Sequence, residues 1–470
     1  MVFNSYIFIL VFFPLVTLGY FLLNKISSLA GRIFLVIANI LFYLYGGWKF
    51  MVVTCVSVLV NILLAFLIKK LKHKKAIYIV GIVVNIVFLF AFKYVTPILS
   101  LAKVEFTFFN ILLPLGISYY TFQQIAFLSS LYKEEIERFN VIDYLVYILF
   151  FPKVMMGPLI EYKDFVEQLN DSTKKNFNLD NFLKGIKMFA FGLFKKVVFA
   201  DLFAIVVSYG FSNVSSLSSL DVFVLMISFT FQIYFDFSGY SDMAVGISMV
   251  LNFDLPPNFD SPYKAVTFRD FWKRWHISLT KFLTKYIYIP LGGNRKGVVL
   301  TCVNVLIVFL ISGIWHGANF TFILWGAIWG VLCVIDRFIK KPDKTIWKIL
   351  GWIIVFFVTN ILWLLFRADS VSQWAHLVKT LFTPTFKINK EFFTSFESGI
   401  GKYLIYLPSM KSAIIAILIF VVSCVICFVP NNNYQQKDKV GTLDMVLSGL
   451  AITTCLMLLF NAVPFLYSGF

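Results

Sequence analysis

Two histidines carry most of the chemistry that can be read from this chain. His316 follows a long apolar run and stands between Gly313 and Gly317. Ionisable side chains at membrane depth are rare and by default mark function. Glycines on either side let another backbone or a substrate come close. An imidazole there can be the general base that takes a proton from a hydroxyl as it attacks a thioester. The alternative is a buried histidine hydrogen-bonded to a neighbouring helix. His276 closes the run Phe271-Trp-Lys-Arg-Trp-His276. Read as one helix over 268–286, the segment puts Phe268, Phe271, Trp272, Trp275, Leu279, Phe282 and Tyr286 on an apolar face. Lys273, Thr280, Lys281 and Thr284 then lie on the other face, the pattern of an interfacial amphipathic helix. His276 falls at the edge of the apolar face, where an anchoring role and a chemical role fit equally well.

Around these lie further polar groups. In Tyr234-Phe-Asp-Phe-Ser-Gly-Tyr-Ser-Asp242, Asp236 and Asp242 flank Ser238-Gly239. They either form structural pairs with Arg269 or Arg274 or orient a histidine. Tyr234, Tyr240 and Asn319 are candidates to line a cavity. Segment 254–297 has eight Lys and Arg against three Asp. A solvated loop that sets topology explains part of that excess. The functional reading is attraction of a phosphorylated donor such as an acyl-coenzyme A, with Lys273, Arg274 and Trp275 as the donor-side set. Gly292-Gly293 reads as a turn, without the spacing of a phosphate-binding loop. No His-x-x-x-His or carboxylate cluster suggests a metal, and no Gly-x-Ser-x-Gly elbow suggests a serine nucleophile. His73 lies in a basic loop and His376 in an outer amphipathic stretch, and both read as non-catalytic. Cys424 and Cys427 have redox spacing but sit in an apolar helix, where thiols behave as small hydrophobes.

The elements that must position these groups are membrane helices. The chain has 470 residues, 60% of them hydrophobic, and a mean hydropathy of +0.84. A soluble domain has about 45–50% apolar residues. The excess falls in runs of the length that crosses a bilayer as a helix, and these lack the alternation of a barrel. The expected spans are 3–23, 33–48, 51–68, 76–92, 108–131, 197–212, 219–237, 298–315, 320–336, 346–366, 411–429 and 444–466. Segment 141–151 is too short to cross and reads as re-entrant. Lys195 and Lys196 are expected to end an interfacial helix over 182–196, and 243–253 reads as a second short piece. Pro114-Leu-Gly116 suggests a kink within the fifth span. Basic loops such as 69–75 place that side in the cytoplasm and the N-terminus outside. The net charge of +17 belongs to these loops, not to nucleic-acid binding. Residues 3–23 lack a cleavage site and read as a retained span. No repeat or linker divides the chain, so 1–470 is taken as one domain.

Several motifs resemble the membrane-bound O-acyltransferase family, specifically its alginate O-acetyltransferase branch. They are Phe235-Asp-Phe-Ser-Gly-Tyr-Ser-Asp-Met243, Phe271-Trp-Lys-Arg-Trp-His-Ile-Ser278, Tyr288-Ile-Pro-Leu-Gly-Gly-Asn-Arg-Lys-Gly297 and Gly313-Ile-Trp-His-Gly-Ala-Asn319. Phe150-Phe-Pro-Lys-Val-Met-Met-Gly-Pro158 and Phe366-Arg-Ala368 belong with them. The resemblance implies an all-α polytopic membrane protein. About eleven to twelve transmembrane helices, with re-entrant and interfacial helices, would surround a central funnel. It implies that His316 is the catalytic histidine and that His276 takes a second position filled by Asn or Asp in other branches. It implies no bound cofactor, an acyl thioester (acetyl-CoA) as co-substrate, and a polysaccharide acceptor reached through a separate extracytoplasmic transferase. Location would be the plasma membrane of the cell envelope. Within the family, D-alanyl transfer to teichoic acid from a carrier-protein thioester is the rival reading. Outside it, a transporter or a scaffold without chemistry would share the polytopic helices.

Overall fold

The computed structural model describes residues 1–95, 114, 116–340, 343–385, 389–394, 412–429, 431–461 and 463–466. The first half of the expected span 108–131 and part of the outer segment 367–410 lie outside the described residues. Among the described residues the secondary structure is helical, apart from a single bridge between Phe259 and Trp275. Eight helices are long and apolar enough to cross a membrane. They are Phe8–Ile26, Ser28–Gly46, Trp48–Lys70, Lys74–Lys93, Ser219–Val250, Val298–His316, Phe320–Phe338 and Thr345–Arg367. Shorter apolar helices, Ile417–Phe428 and Thr442–Leu458, follow. Most of these match the expected spans within a few residues, because twenty consecutive apolar residues admit little else.

The departures occur where charges interrupt apolar sequence. Lys195 and Lys196 do not end an interfacial helix. Leu179–Phe194, the π-helical turn Lys195–Ala200 and Asp201–Ser212 run on as one continuous helix. The expected break between 219–237 and 243–253 is also absent, since Ser219–Val250 is a single helix of 32 residues. At 1.5 Å per residue it is about 48 Å long, well beyond the ~30 Å of a hydrocarbon core. The two helices resolve each other's charges. Lys196 pairs with Asp236 at 2.7 Å and Asp201 at 2.8 Å, and Lys195 pairs with Asp242 at 2.7 Å. The aspartates of the Tyr234–Asp242 stretch thus face lysines of the neighbouring helix, not Arg269 or Arg274. Removing either helix from the other would leave bare charge in lipid.

Glycines let these helices touch. A Cβ on Gly192 would stand 2.7 Å from the Gly239 carbonyl, and one on Gly239 would stand 2.7 Å from the Gly192 carbonyl. Gly185 and Gly246 form a second reciprocal pair at 2.6 Å. Close backbone approach through small residues is how membrane helices gain packing energy without a hydrophobic driving force. The expected kink at Pro114-Leu-Gly116 falls partly on Leu115 and on the residues before Pro114, which lie outside the described residues. Gly116, at φ +72°, precedes Ile117–Tyr132.

Segment 141–151 does stay short. Val141–Leu149 gives way to a turn at Phe151–Lys153. Its buried Lys153 donates to Gln123 at 2.8 Å and stands 3.6 Å from the Tyr147 ring.

The ends of the bundle are distinct. At one end Lys74 pairs with Glu134, Lys285 with Glu161, and Lys437 with Asp254. This is the end at which the basic loop 69–75, expected to face the cytoplasm, lies. At the other, Gln373 reaches the Phe211 carbonyl and Ser219 exchanges hydrogen bonds with Thr385.

Candidate active site

Segment 268–288 is not a surface helix. It breaks into Phe268–Arg274, Ile277–Leu283 and a π-helical turn Thr284–Tyr288. Phe271, Trp272 and Trp275 are buried, so this platform lies inside the bundle. Phe271 stacks on Trp329 at 5.2 Å, and Trp275 lies 4.8 Å from Trp363. Residue periodicity read one interfacial helix over 268–286 and so put the segment at the surface. It missed the break because the break is made by a distant loop. The Asp260 amide donates to the Arg274 carbonyl at 3.0 Å, and the Ile277 amide donates to the Asn258 carbonyl at 3.0 Å. The Ser278 hydroxyl donates to Asn258 Oδ1 at 2.6 Å.

Between these tethers His276 adopts φ +47° and ψ +52°, a left-handed conformation. For a non-glycine residue that costs of order 1–2 kcal/mol, and such strain gathers at functional sites. His276 is 2% exposed, and neither ring nitrogen meets a hydrogen-bond partner among the described residues. Burial pushes its pKa down to about 3. It is therefore a neutral imidazole at physiological pH, with one donor and one acceptor to offer.

His316 arrives from a different direction, as the last residue of Val298–His316. That helix is pressed against Phe320–Phe338 at Gly313, where a Cβ would meet the Phe322 carbonyl at 2.4 Å. The imidazole is buried against Trp325 at 5.3 Å and Phe366 at 5.1 Å, both edge-on. The two histidines converge on one indole. The Trp315 ring lies 4.8 Å from His316 and 6.3 Å from His276. Tyr119 completes the group, 6.4 Å from His276 and 5.9 Å from Trp315.

A third buried ionisable group joins them. Lys93 Nζ donates to the Trp315 carbonyl and to Ser118 Oγ at 3.4 Å, and stands 5.3 Å from the Trp315 ring. The Tyr94 hydroxyl donates to the Ile314 carbonyl. Together they cap carbonyls that a helix C-terminus leaves open, and an ammonium there complements the helix dipole. Sequence gave no sign of this role, since a lysine in the last turn of an apolar helix reads as the end of a span. Asn258 was equally silent.

The remaining candidates fall in several places. Tyr234 and Trp275 pack together at 6.3 Å, within the aromatic core. Asp236 is engaged by Lys196 and by the Leu466 amide. Arg274 is held by Asp270 at 3.0 Å and Asp260 at 3.6 Å. Asn319 is exposed, caps the next helix and donates to the Asp369 carbonyl. Lys273 is exposed and opens on a groove. His73 and His376 are exposed.

A cavity of about 690 Å³ lies at the end that holds the Lys285–Glu161 pair, between Ile117–Tyr132, loop 254–257 and the platform. It reaches Ser278, two residues from His276. Its charged lining is mixed, with Glu161, Asp164 and Asp254 alongside Lys281 and Lys285.

The molecule is a polytopic helical bundle in which a break in a buried platform and the end of one helix bring two imidazoles to one indole. The profile of the membrane-bound O-acyltransferase family matches residues 107–369, and the chain belongs to that family. It is an acyltransferase. It is similar to the peptidoglycan O-acetyltransferase of Helicobacter pylori, 32% identical over 81% of this chain and 79% of the relative. It is also similar to the probable alginate O-acetylase of Pseudomonas aeruginosa, 33% identical over 82% of this chain and 75% of the relative. The teichoic acid D-alanyltransferase of Bacillus subtilis is more distant, 23% identical over 56% of this chain and 69% of the relative.

Proposed function

We propose that this acyltransferase moves an acetyl group from a cytoplasmic thioester, acetyl-CoA, toward hydroxyls of an extracytoplasmic polysaccharide. The supporting observation is the convergence of two buried histidines, from segments forty residues apart in sequence, on the Trp315 indole. In this reading the thioester arm enters the cavity that ends at Ser278. His276, neutral and unpartnered among the described residues, donates a hydrogen bond to the thioester carbonyl. His316 takes the proton of the attacking hydroxyl. The oxygen–carbon bond forms, the carbon–sulfur bond breaks, and the departing thiolate recovers the proton. Nothing in this route calls on a bound cofactor. Arg274, tied to two aspartates, braces the platform, with Trp275 and Tyr234 packed behind it. Asp236 holds the neighbouring helix and Asn319 the turn after His316. A separate extracytoplasmic transferase accepts the acyl group at the outer end, and the chain resides in the plasma membrane.

Purified protein incubated with labelled acetyl-CoA tests this. His316→Ala should lower thioester turnover by at least about a thousandfold, in the range of a lost general base and its coupled steps, with protein level and insertion unchanged. Turnover at the wild-type rate in that variant overturns the assignment. The mixed charge of the cavity lining, which is not the basic groove expected for coenzyme phosphates, favours a second reading. The arm would then arrive on a carrier protein, as a D-alanyl thioester. Turnover with the carrier thioester and none with acetyl-CoA would select it.

A further inference from the structure

A second groove adjoins the cavity that reaches Ser278, at Thr280 and Thr284, and the rest of its lining is residues that the reaction does not use. Its volume is about 340 Å³. One wall is a single face of the helix Val298–His316, through Cys302, Val305, Val308, Phe309 and Ser312. Those positions recur every three or four residues, so they form one continuous stripe. From Cys302 to Ser312 the stripe is about 15 Å long at 1.5 Å per residue. That is half of a ~30 Å hydrocarbon core, the depth of one leaflet. Trp272, Leu279 and Leu283 of the platform form the facing wall.

The mouth of this groove is cationic. Arg269, Lys273 and Arg337 line it, and among the described residues no acidic side chain does. Arg269 is committed to Asp336, through its amide at 3.1 Å and its Nε at 3.0 Å. Lys273 and Arg337 are exposed and form no ion pair among the described residues. Arg337 lies in the last turn of the helix Phe320–Phe338, at the end from which Lys344 and the helix Thr345–Arg367 follow in sequence. The groove therefore has positive charge at headgroup height and an apolar floor running one leaflet deep. Basic pockets between transmembrane helices on the cytoplasmic side bind anionic lipid headgroups.

We propose that this groove is a binding site for an anionic phospholipid of the inner leaflet. Its phosphate sits between Lys273 and Arg337, and one acyl chain lies along Val305, Val308 and Phe309. The bound lipid braces the platform that carries His276 against the helix that carries His316. The site meets the cavity that reaches Ser278 only at Thr280 and Thr284, and the proposal does not depend on which thioester is used.

The test is lipid retention by the full-length protein. Protein purified from bilayers of mixed phosphatidylglycerol and phosphatidylcholine is stripped stepwise with detergent, and bound lipid is counted by native mass spectrometry. Wild-type protein should keep about one phosphatidylglycerol after the phosphatidylcholine is gone. Lys273→Gln with Arg337→Gln should retain about tenfold less, by the loss of two surface cations. Lys273→Arg with Arg337→Lys should retain it. Lys344→Gln with Lys348→Gln, at the start of the helix Thr345–Arg367, should behave as wild type. Four results overturn the proposal. They are equal retention in the rim variant, equal loss in the helix-start variant, equal retention of phosphatidylcholine, and displacement of the lipid by coenzyme A. The last would make the groove part of the donor site.

Discussion

At the scale of single residues, the site depends on how His276 is held. Its left-handed backbone is fixed by Asn258, which accepts from the Ile277 amide through its carbonyl and from the Ser278 hydroxyl through its side chain. Asn258→Ala keeps the first bond and loses the second. Misplacing a reacting group by about 1 Å costs about a hundredfold in rate, so turnover should fall about ten- to a hundredfold with little change in expression. A steady-state assay on membranes checks this. The neutral state of His276 has its own consequence. Its pKa is near 3 folded and about 6.5 unfolded. Between those values the unfolded chain binds a proton that the folded chain refuses. Stability therefore rises with pH across that window, and this contribution is progressively lost as pH falls from 6.5 toward 3. His276→Asn removes the group. Thermal midpoints measured from pH 7 to pH 4.5 should fall less steeply in that variant than in the wild type. Parallel curves would show that the imidazole is not the titrating group.

At the scale of elements, the apolar spans were legible and the charged ones were not, for one reason. A lysine pair in an apolar run is costly in lipid, so sequence alone reads Lys195 and Lys196 as a boundary. Their partners stand on another helix, at Asp236 and Asp242, and no local pattern announces the pairing. The same blindness split the helix Ser219–Val250 and fused the platform 268–288. In both cases a tertiary partner decides whether the helix continues. His316 stood out as a candidate because an ionisable group at the end of an apolar run is itself a signal, whereas His276 stood out through the motif around it. Their shared indole did not, since Trp315 reads as one more aromatic. The pairing carries a prediction. Lys196 is 1% exposed and serves two carboxylates, Asp201 and Asp236. Lys196→Met leaves both buried without their cation, a loss of about 3–5 kcal/mol. Adding Asp236→Asn removes one of the stranded charges and should recover part of it. A double-mutant cycle on detergent-solubilised protein measures the coupling, and simple additivity would show that the pair acts independently.

At the scale of the whole molecule, residues far apart in the chain close on the stretch that holds those aspartates. Phe3 stacks on Tyr240 at 4.9 Å, and Phe465 meets the same ring edge-on at 5.2 Å. The Leu466 amide donates to Asp236 Oδ2 at 2.9 Å, the Val463 amide donates to Asp201 Oδ2 at 3.3 Å, and Lys196 donates to the Pro464 carbonyl at 3.3 Å. The segment 463–466 therefore satisfies lone pairs that the lysines leave over, and a buried carboxylate needs all of them satisfied. It acts as a lid on the charged seam between two central helices, and the bundle is closed by it. Phe465 is buried, whereas Phe460, earlier in the sequence, is 57% exposed. Phe465→Ala should cost about 3–5 kcal/mol, as for a large ring removed from a packed site. Phe460→Ala, at an exposed position, should leave the thermal midpoint near wild type. If the two substitutions lower it equally, the segment is not a seal. A selective effect at Phe465 would mean that the seam, and with it the register of the helix bearing Asp236, is fixed from the far end of the described chain.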